Sequence, residues 1–450
     1  MKTYIYMDNF RGFQDALVPL CQVNFLVGEN STGKSSFLDL ISAFNEFQYW
    51  VLDPSLNSVG KKGHHFFDLV SAGSKDAVSF TVGAVQIDPS GEVRPRGLIA
   101  TYVNNEWRPE PKRVSVVKEG KIITIEGQLW DPEDNPKYDI RAEDIKSPEK
   151  NRATLEVAKN IVGQHKNSYG FEQHEVKDEE IRLPFFMRYS DSLYGEKGFR
   201  GAESIIPKPF DRNLYEIAPI RSEPRRTYDA PQTVANPEGD HVPYLIKKEL
   251  ASPASGESFK KFLRSFGGSS GLFDSLSIKE FGTDPLAPFE MKVDLGEVSL
   301  SLQNVGYGVS QAIPVLVEVF IRGRGAAFNI QQPEVHLHPR AQAAFGDVVA
   351  ELARTEDKVF FVETHSDFTI DRFRMNVRKN YMKNANKVAS LDAVGQTFEN
   401  EDGFGQILFF ERCERGNRVS SIPIFRNGDL SEHQPEKYRE FFIHESLSLL

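Results

Sequence analysis

The sequence predicts an α/β protein with a mostly parallel sheet flanked by helices. Short apolar runs typical of buried strands occur at "VNFLV", "AAFNI" and "KVFFV". Each run is followed by a segment whose apolar residues have helical spacing, as in "FLDLISAFNEF" and "RAQAAFGDVVAELART". Strands that alternate with helices are typical of a parallel sheet whose faces the helices cover.

Three segments are predicted along the chain. Its 450 residues are many for one compact core, so an insertion or a second lobe is expected. The α/β part is expected in residues 1–106 and 291–450. From Trp107 the regular alternation stops, and residues 107–290 are expected to be a partly helical insertion. Within it, "EGKIITIEG" is predicted to be a strand, and the polar stretch over 129–151 a loop.

The composition is that of a folded globular protein, with 40% hydrophobic and 26% charged residues. The net charge of -10 does not favour a surface that binds nucleic acid as a whole. Cys21 and Cys413 are too few for a disulfide framework, which favours a reducing, cytoplasmic compartment. We expect no signal peptide and no membrane partner, because no apolar run approaches membrane-spanning length.

A phosphate-binding loop follows the first buried run. The segment "GENSTGKS", from Gly28 to Ser35, matches the pattern G-x-x-x-x-G-K-[ST] without a gap. In such a loop, backbone N–H groups converge on a phosphate and glycines allow the required backbone angles. Lys34 is expected to reach the β- and γ-phosphates, and the Ser35 hydroxyl to coordinate Mg²⁺. A chance glycine turn is the alternative, but the flanking strand and helix favour nucleotide binding. The residues expected to hold the nucleotide here are Gly28, Glu29, Asn30, Ser31, Thr32, Gly33, Lys34, Ser35 and Ser36.

The ends of two later strands are the candidates for the catalytic half of the site. In "AAFNIQQPEVHLHP" the strand ends at Gln331 and Gln332, with Glu334 shortly after, and "KVFFVETHSD" carries His365 just past its strand. A histidine at that place can hydrogen-bond a γ-phosphate, because ligands bind at strand ends in open α/β sheets. An ordinary strand-end histidine is the alternative. We expect catalytic roles for Gln331, Gln332, Glu334 and His365.

A further helix start precedes these strands in "NVGYGVSQAIPVL". A helix N-terminus carries unpaired N–H groups and partial positive charge, both of which suit an anion. Ser310 is expected to be the N-cap of this helix, with Gly308 just before it. A simple turn and cap without a ligand is the alternative.

These motifs, in this order, resemble the ABC-type ATPase head of the OLD-like and RecF/SMC-like ATPases. More closely, the sequence resembles bacterial AAA-family ATPases with a DUF3696-type C-terminus, including in "APIRSEPRRTYDAPQTVANPEGDHVPYL". The resemblance covers about residues 1–50, 215–250 and 300–430, and it is weak across 107–210.

The resemblance implies a P-loop NTPase fold of the ABC type, with ATP and Mg²⁺ as cofactors. In such heads, ATP at one P-loop is capped by the Gly-Ser signature of a second subunit. Gly306, Gly308 and Ser310 would thus contact the partner's γ-phosphate, and His365 would be the switch histidine. ATP would then join the subunits of a homodimer or a higher homo-oligomer.

The two glutamines depart from the family pattern, which commonly has Glu/Asp-Glu-Pro-Glu or Glu-Gln-Pro-Glu at this strand end. Gln331 stands where the metal-side carboxylate is expected, so it is a metal candidate beside Ser35. Gln332 stands at the general-base position, where this subgroup often has Gln. A glutamine can orient water but cannot take a proton. We expect tight ATP binding with slow or absent turnover, either by nature or through a deliberate Glu→Gln replacement at position 331.

Three functions compete. The resemblance favours an ATP-switched sensor or scaffold that controls a separately encoded effector, a nuclease or toxin, in bacterial antiphage defence of the Septu, retron or PARIS-like kind. We expect the effector in trans, because the residues after His365 show no spaced carboxylates for two-metal cleavage. A RecF/SMC-like DNA-repair ATPase is one alternative, although no long heptad repeat is visible. A hydrolysis-deficient, ATP-dependent assembly scaffold is the other.

A basic cluster leaves nucleic acid open as a partner. Arg221, Arg225 and Arg226 lie close together in "RSEPRRTY", with Tyr228 nearby. Such a cluster could contact DNA phosphates or an acidic partner subunit, although most charge runs are solvated surface.

Overall fold

The computed structural model describes most of the chain. The described residues are 1–45, 65–71, 78–127, 137–145, 154–167, 169–170, 172–175, 212–229, 234–284, 287–388, 404–414, 416–438 and 440–441. Part of the predicted 129–151 loop lies outside them, and the part that is described contains a strand, Lys137–Asp144.

Strands and helices of the described residues are numbered in chain order. The strands are β1 (Lys2–Asp8), β2 (Ala16–Leu20), β3 (Val23–Gly28), β4 (Ser79–Ile87), β5 (Arg96–Asn105), β6 (Arg108–Lys118), β7 (Lys121–Gly127), β8 (Lys137–Asp144), β9 (Glu172–Glu175), β10 (Leu214–Ile217), β11 (Ser275–Glu280), β12 (Phe289–Leu295), β13 (Val298–Ser301), β14 (Ala327–Gln331), β15 (Val359–Glu363), β16 (Gly405–Cys413) and β17 (Gly416–Ile424). The helices are α1 (Lys34–Asn45), α2 (Phe66–Leu69), α3 (Thr154–Lys166), α4 (Val242–Leu250), α5 (Gly256–Ser270), α6 (Tyr307–Ile321), α7 (Pro339–Glu356) and α8 (Asp367–Val388).

The chain divides into two compact units whose segments alternate along the sequence. The first unit comprises residues 1–21, 29–211 and 410–421, and the second comprises 22–28, 212–409 and 422–450. The predicted segment boundaries at 106/107 and 290/291 do not coincide with this division. The segment expected to be an insertion is itself shared, with its part up to 211 in the first unit and its part from 212 in the second.

The first unit is built on an eight-stranded antiparallel sheet in the order β2-β1-β4-β5-β6-β7-β8-β9. Strand β5 turns into β6 through a two-residue loop, because Asn105 pairs with Arg108. The loop residues Glu106 and Trp107 have φ of 45° and 73°, which is the conformation of a type I′ hairpin turn. Trp107 therefore lies inside a hairpin, and the sheet continues through the place where an insertion was expected to begin.

Helix α3 packs on this sheet, and two arginines bind its C-terminal carbonyls. Arg113 donates to the carbonyl of His165 at 3.2 Å, and Arg141 donates to that of Gln164 at 2.5 Å. The imidazole of His165 is itself buried and hydrogen-bonds the Ser115 hydroxyl at 2.7 Å. Burial lowers the pKa of His165 to about 3, so this histidine is neutral at physiological pH.

The second unit contains a six-stranded sheet in the order β10-β14-β15-β3-β16-β17, whose last two strands carry residues of both units. Strands β10, β14, β15 and β3 are parallel to their neighbours in that order. On one face of these strands, Phe25, Ile330 and Phe360 are fully buried in the main core. Helix α7 connects β14 to β15, and α8 follows β15, so the predicted alternation of strand and helix is confirmed here.

Closely packed helices cover this sheet. Helix α7 approaches α8 at Gly346, where a Cβ would lie only 2.4 Å from the Thr369 carbonyl oxygen. Helix α6 is apolar on most of its surface, with Val315, Leu316 and Val317 buried in the same core. With parallel and antiparallel sheets, flanking helices and a β3–loop–α1 connection, the predicted α/β fold of the P-loop NTPase type is confirmed. No helix in the described part of the chain is long and apolar enough to cross a membrane.

Candidate functional site

Four parallel strands of the second unit end at one edge of their sheet. Gln331 of β14 pairs with Glu363 of β15, which in turn pairs with Leu26 of β3, and β10 runs parallel on the far side of β14. Ligands of open α/β sheets bind beyond the carboxyl ends of the strands. The chain beyond these ends carries the phosphate loop, both strand-end motifs and the arginine-bearing segment.

The phosphate loop has the backbone conformation that its sequence predicts. Gly28 and Gly33 have φ of 146° and 97°, a region that glycine enters without steric cost. A Cβ at Gly33 would lie 2.4 Å from the Phe13 ring, so a side chain there would collide with it. Helix α1 begins at Lys34, directly after Gly33. Its first backbone N–H groups have no partner within the helix, which is what a bound phosphate requires.

Two side chains of the loop share one backbone acceptor. Lys34 Nζ donates to the carbonyl of Glu29 at 2.7 Å, and Thr32 Oγ1 donates to the same oxygen at 2.8 Å. Lys34 and Thr32 are buried, whereas the Ser35 side chain is exposed and that of Ser36 is half-buried. The ammonium group is thus held on the loop by an acceptor that phosphate oxygens can replace. Three further residues of the predicted set are exposed: Glu29, Asn30 and Ser31.

The two glutamines occupy the end of β14 and the turn after it. Gln332 has φ of 45°, and its N–H donates to the Glu363 carbonyl at 2.8 Å, which ties the turn to β15. Both glutamine side chains are half-buried. Neither amide is protonated or deprotonated at ordinary pH, so each can donate and accept hydrogen bonds but neither can act as a base.

Glu334 joins two strand ends. Its carboxylate accepts from the Thr364 hydroxyl at 2.9 Å and from the His365 backbone N–H at 2.7 Å. Burial raises the pKa of Glu334, while these two donors and the charge of Arg221 act in the opposite direction. The carboxylate therefore positions the loop that carries His365, and its catalytic role stays a prediction.

His365 is exposed just beyond β15, where the sequence predicts it. Its ring lies 6.5 Å from that of Phe441, measured between centroids. The next residue, Ser366, is buried, and its hydroxyl accepts from the Thr369 N–H at 3.2 Å at the start of α8. The backbone on both sides of His365 is thus fixed, while its imidazole faces outward.

The prediction that Ser310 is an N-cap is wrong. Helix α6 begins at Tyr307, and Gly306 is its N-cap, with the extended ψ of 148° that a cap requires. Ser310 lies one turn inside, where its buried hydroxyl donates to the Tyr307 carbonyl at 3.0 Å. Gly308 packs closely, because a Cβ there would lie 2.8 Å from the His336 carbonyl oxygen. The residues nearest the helix start are therefore two glycines and an exposed tyrosine.

Arg221 belongs to this site rather than to a surface cluster. It follows β10 and is only 2% exposed, whereas Arg225 and Arg226 are exposed. Its Nη2 donates to the backbone carbonyls of Gln331 and Gln332 at 3.2 and 3.3 Å. The predicted nucleic-acid contact is therefore wrong for Arg221, because a buried guanidinium cannot reach a phosphate backbone. Sequence reasoning identified the residue but not its position.

The two residues predicted to meet Mg²⁺, Ser35 and Gln331, are both uncharged. Among the described residues, no group of three or more His, Cys, Asp or Glu side chains is arranged to hold a metal ion. Mg²⁺ usually keeps several waters and takes one or two carboxylates together with substrate phosphates. Each of the two predicted metal residues, Ser35 and Gln331, offers one neutral oxygen, and their metal role stays a prediction.

Two sequence comparisons show similarity to known proteins. A family model described as "AAA domain, putative AbiEii toxin, Type IV TA system" matches residues 23–371. A stretch of 181 residues is 28% identical to an OLD nuclease of Thermus scotoductus (strain ATCC 700910 / SA-01), and it covers 34% of this chain and 34% of that protein. The chain thus matches about a third of the length of this curated relative.

Solved structures with a similar course of the chain include SMC heads. One is the SMC head domain from Thermotoga maritima, with 12% identity, a TM-score of 0.39, and coverage of 94% of this chain and 98% of that one. Another is the SMC head bound to the C-winged helix domain of ScpA, with 12% identity, a TM-score of 0.41, and coverage of 94% and 97%.

Proposed function

The chain belongs to the AAA family whose model matches residues 23–371, and from that premise we propose that it is an ATP-driven switch protein. It binds ATP with Mg²⁺, associates with further copies of itself around the nucleotide, and controls a separately encoded effector in antiphage defence. The observation that carries the proposal is the phosphate loop between a buried strand and α1, at the sheet edge where four parallel strands end.

Nucleotide binding uses the loop and its lysine. Backbone N–H groups at the start of α1 and the Lys34 ammonium receive the phosphates. Lys34 exchanges its bond to the Glu29 carbonyl for bonds to phosphate oxygens, so the ammonium gains charged acceptors in place of a neutral one. Ser35 and Gln331 are the side chains that would meet Mg²⁺, which when bound neutralises charge on the β- and γ-phosphates.

Turnover is slow because the strand end lacks a base. Gln331 and Gln332 can orient a water molecule but cannot remove its proton. Glu334 is the nearest carboxylate along the turn, and its oxygens already receive hydrogen bonds from Thr364 and His365. The chain thus holds ATP longer than it hydrolyses it, and His365 reports on the γ-phosphate.

Association with a second copy uses the start of α6. Its first turn presents Gly306, exposed Tyr307 and Gly308, whose N–H groups are suited to the phosphate of a partner's nucleotide. Ser310 contributes from inside the turn. The nucleotide then stabilises the assembled state by mass action, because it binds the closed arrangement better than the open one.

The class of the proposed effector is based on kinship. The family description names a putative toxin of a Type IV toxin–antitoxin system, and the curated relative is a nuclease. Fold and kinship alone do not specify chemistry. We therefore propose an effector of the nuclease or toxin class, and a purification of the untagged complex identifies it.

Two measurements, each made with and without Mg²⁺, test whether the chain binds ATP and associates around it. One is the equilibrium binding of fluorescent ATP, and the other is the molecular mass determined by light scattering. We expect nucleotide to raise the mass to that of a dimer or larger assembly, and Lys34→Ala to abolish both binding and assembly. Lys112→Ala, which alters an exposed lysine of β6, is the matched control and should change neither. ATP binding without any change of mass would contradict the switch.

Two further outcomes separate the alternatives. Complete ATP-dependent assembly with no phosphate release and no co-purifying protein would support the pure scaffold, which the two neutral residues at the strand end favour. Salt-sensitive DNA binding stimulated by ATP would instead support a DNA-repair ATPase. Co-purification of a stoichiometric effector, released or activated by a change in nucleotide, is the result that we expect.

A further inference from the structure

Arg221 connects two parts of the site that lie far apart in sequence. Its guanidinium contacts the end of β14, because Nη2 donates to the carbonyls of Gln331 and Gln332. Its backbone contacts α6, because the Arg221 N–H donates to Gln311 Oε1 at 3.3 Å. The Gln311 side chain donates back to the Arg221 carbonyl at 3.4 Å. One buried residue thus donates one hydrogen bond to the helix, accepts one from it, and donates two to the strand end.

Gln311 lies near the start of α6, so its bonds to Arg221 connect that helix to the strand end. Gln311 is adjacent to Ser310 on α6 and is only 5% exposed, so its amide points into the protein while the start of the helix faces outward. The two hydrogen bonds of Gln311 therefore join α6 to the backbone at Arg221. The guanidinium in turn joins Arg221 to the main chain of both glutamines.

The guanidinium also has N–H groups that can donate further hydrogen bonds. Its Nε and Nη1 are buried and have no hydrogen-bond partner among the residues that the structure describes. Burial lowers the pKa of Arg221 to about 10, and the charge of Glu334 opposes that effect. Glu334 itself is engaged by Thr364 and His365. Burying a charged group with unpaired donors costs free energy. A small movement that brings an acceptor to the Arg221 guanidinium is therefore favoured.

We propose that Arg221 is a positioning residue that couples the start of α6 to the orientation of Gln331 and Gln332. This inference rests on the proposed ATP-driven assembly. When α6 engages the nucleotide of a second copy, Gln311 moves the backbone of Arg221. The strand-end carbonyls follow, and the two glutamine side chains take a new orientation toward the phosphates. Assembly is thereby sensed at the strand end without any contact between the partner and that strand.

Two simpler readings of Arg221 make different predictions. An anion site on the surface is excluded, since the side chain is 2% exposed. A residue with a purely structural role would hold the strand end in place, but the strand end would then not respond to nucleotide. Replacing Arg221 lowers the stability of the protein whether its role is structural or coupling. Stability alone therefore does not separate the two roles.

Hydrogen exchange measured by mass spectrometry separates them. In the natural chain, ATP with Mg²⁺ should slow exchange both in residues 306–316 and in residues 327–338. Gln311→Met keeps the volume and removes both bonds to Arg221. It should leave ATP affinity within about threefold and keep the response of 306–316, but abolish the response of 327–338. Arg221→Lys, which keeps the charge but loses the planar fork, should reduce the second response without affecting the first.

The matched control removes two equivalent bonds elsewhere in the same unit. Gln22 Nε2 donates to the Ala353 carbonyl at 2.6 Å and to Asp357 Oδ1 at 3.3 Å, before the start of β3. Gln22→Met should therefore keep both responses. If 327–338 still responds in Gln311→Met and in Arg221→Lys, or if Gln22→Met loses the response as well, the coupling is refuted. If the unsubstituted chain shows no ATP-driven assembly, the proposed function is wrong. That result differs from assembly without a coupled response at 327–338, so the two failures are distinguishable.

Discussion

The carboxylate of Glu334 accepts a hydrogen bond from the backbone N–H of His365 at 2.7 Å. The residue that follows one parallel strand thereby fixes the loop that follows the next. Because these strands are neighbours, a short side chain suffices to span them. The orientation of the exposed imidazole thus depends on a carboxylate that does not itself need to touch the nucleotide.

Replacing that carboxylate should loosen the loop. Glu334→Gln keeps the shape, but its amide has one acceptor oxygen for two donors, so one of the two charge-assisted hydrogen bonds is lost. We expect a loss of about 1–3 kcal/mol in the free energy of unfolding of the second unit. Urea titration measures it, with Glu351→Gln on the exposed face of α7 as the control. An unchanged midpoint for Glu334→Gln would show that its two hydrogen bonds contribute nothing.

Restoring an acidic residue at the strand end should restore turnover. Gln331→Glu supplies a carboxylate at the position expected for the metal side, where it would strengthen the binding of Mg²⁺ to the phosphates, and we expect phosphate release to rise by about 10²-fold or more. The rate is measured at saturating ATP and Mg²⁺, with Lys34→Ala as the background. No gain in rate would remove Gln331 as the cause of slow hydrolysis.

The phosphate loop should not tolerate a Cβ at Gly33. A methyl group there would meet the Phe13 ring at 2.4 Å, and the residue also has φ of 97°. Gly33→Ala should therefore weaken ATP binding by about tenfold or more, since each 1.4 kcal/mol of distortion corresponds to that factor. Gly91→Ala is the matched control, because Gly91 has φ of 73° but nothing within 4 Å of its Cβ position. Equal ATP affinity in both variants would contradict the steric argument.

Acid should destabilise the first unit through His165. Burial lowers the folded-state pKa to about 3, and the charges of Arg113, Arg141 and Lys166 act in the same direction. Below its unfolded-state pKa of about 6.5, the unfolded chain therefore binds a proton that the folded chain excludes. Stability is present at neutral pH and falls by up to about 1.4 kcal/mol per pH unit toward pH 3.

The variant that tests this is His165→Gln, which can keep hydrogen bonds to Ser115 and Thr101 but does not titrate. Urea midpoints at pH 7, 5.5 and 4.5 should fall less steeply in the variant than in the natural chain. His65→Gln alters an exposed histidine and should keep the original slope. Identical slopes in all three proteins would rule out His165 as the source of the acid sensitivity.

The sequence predicted the features that are encoded locally. The phosphate loop and helix α1 depend on consecutive residues, and the buried strands β3, β14 and β15 depend on short apolar runs. The position of Arg221 was not predictable in this way. It depends on hydrogen bonds to residues 90, 110 and 111 positions away, which a pattern of neighbouring residues does not specify.

The continuation of the antiparallel sheet past residue 106 was missed for a related reason. Its hairpin turn is made by Glu106 and Trp107, both in the left-handed region. Asn and Gly usually signal such turns, so this one carried no recognisable signal. The N-cap of α6 was misplaced by four residues, because a serine near a helix start suggests a cap even where a glycine provides it.

Strand β3 has consequences for how the protein is made. The strand that leads into the phosphate loop is synthesised early, but its partners come much later. Asn24 bonds to the Phe360 carbonyl, 336 residues on, and accepts from Gln406, 382 residues on. At about 5–20 residues per second, a ribosome needs on the order of 20–70 s to cover that distance. Throughout that interval the nascent chain carries an apolar strand without its two neighbours in the sheet, β15 and β16, and such exposed apolar segments are substrates for chaperones.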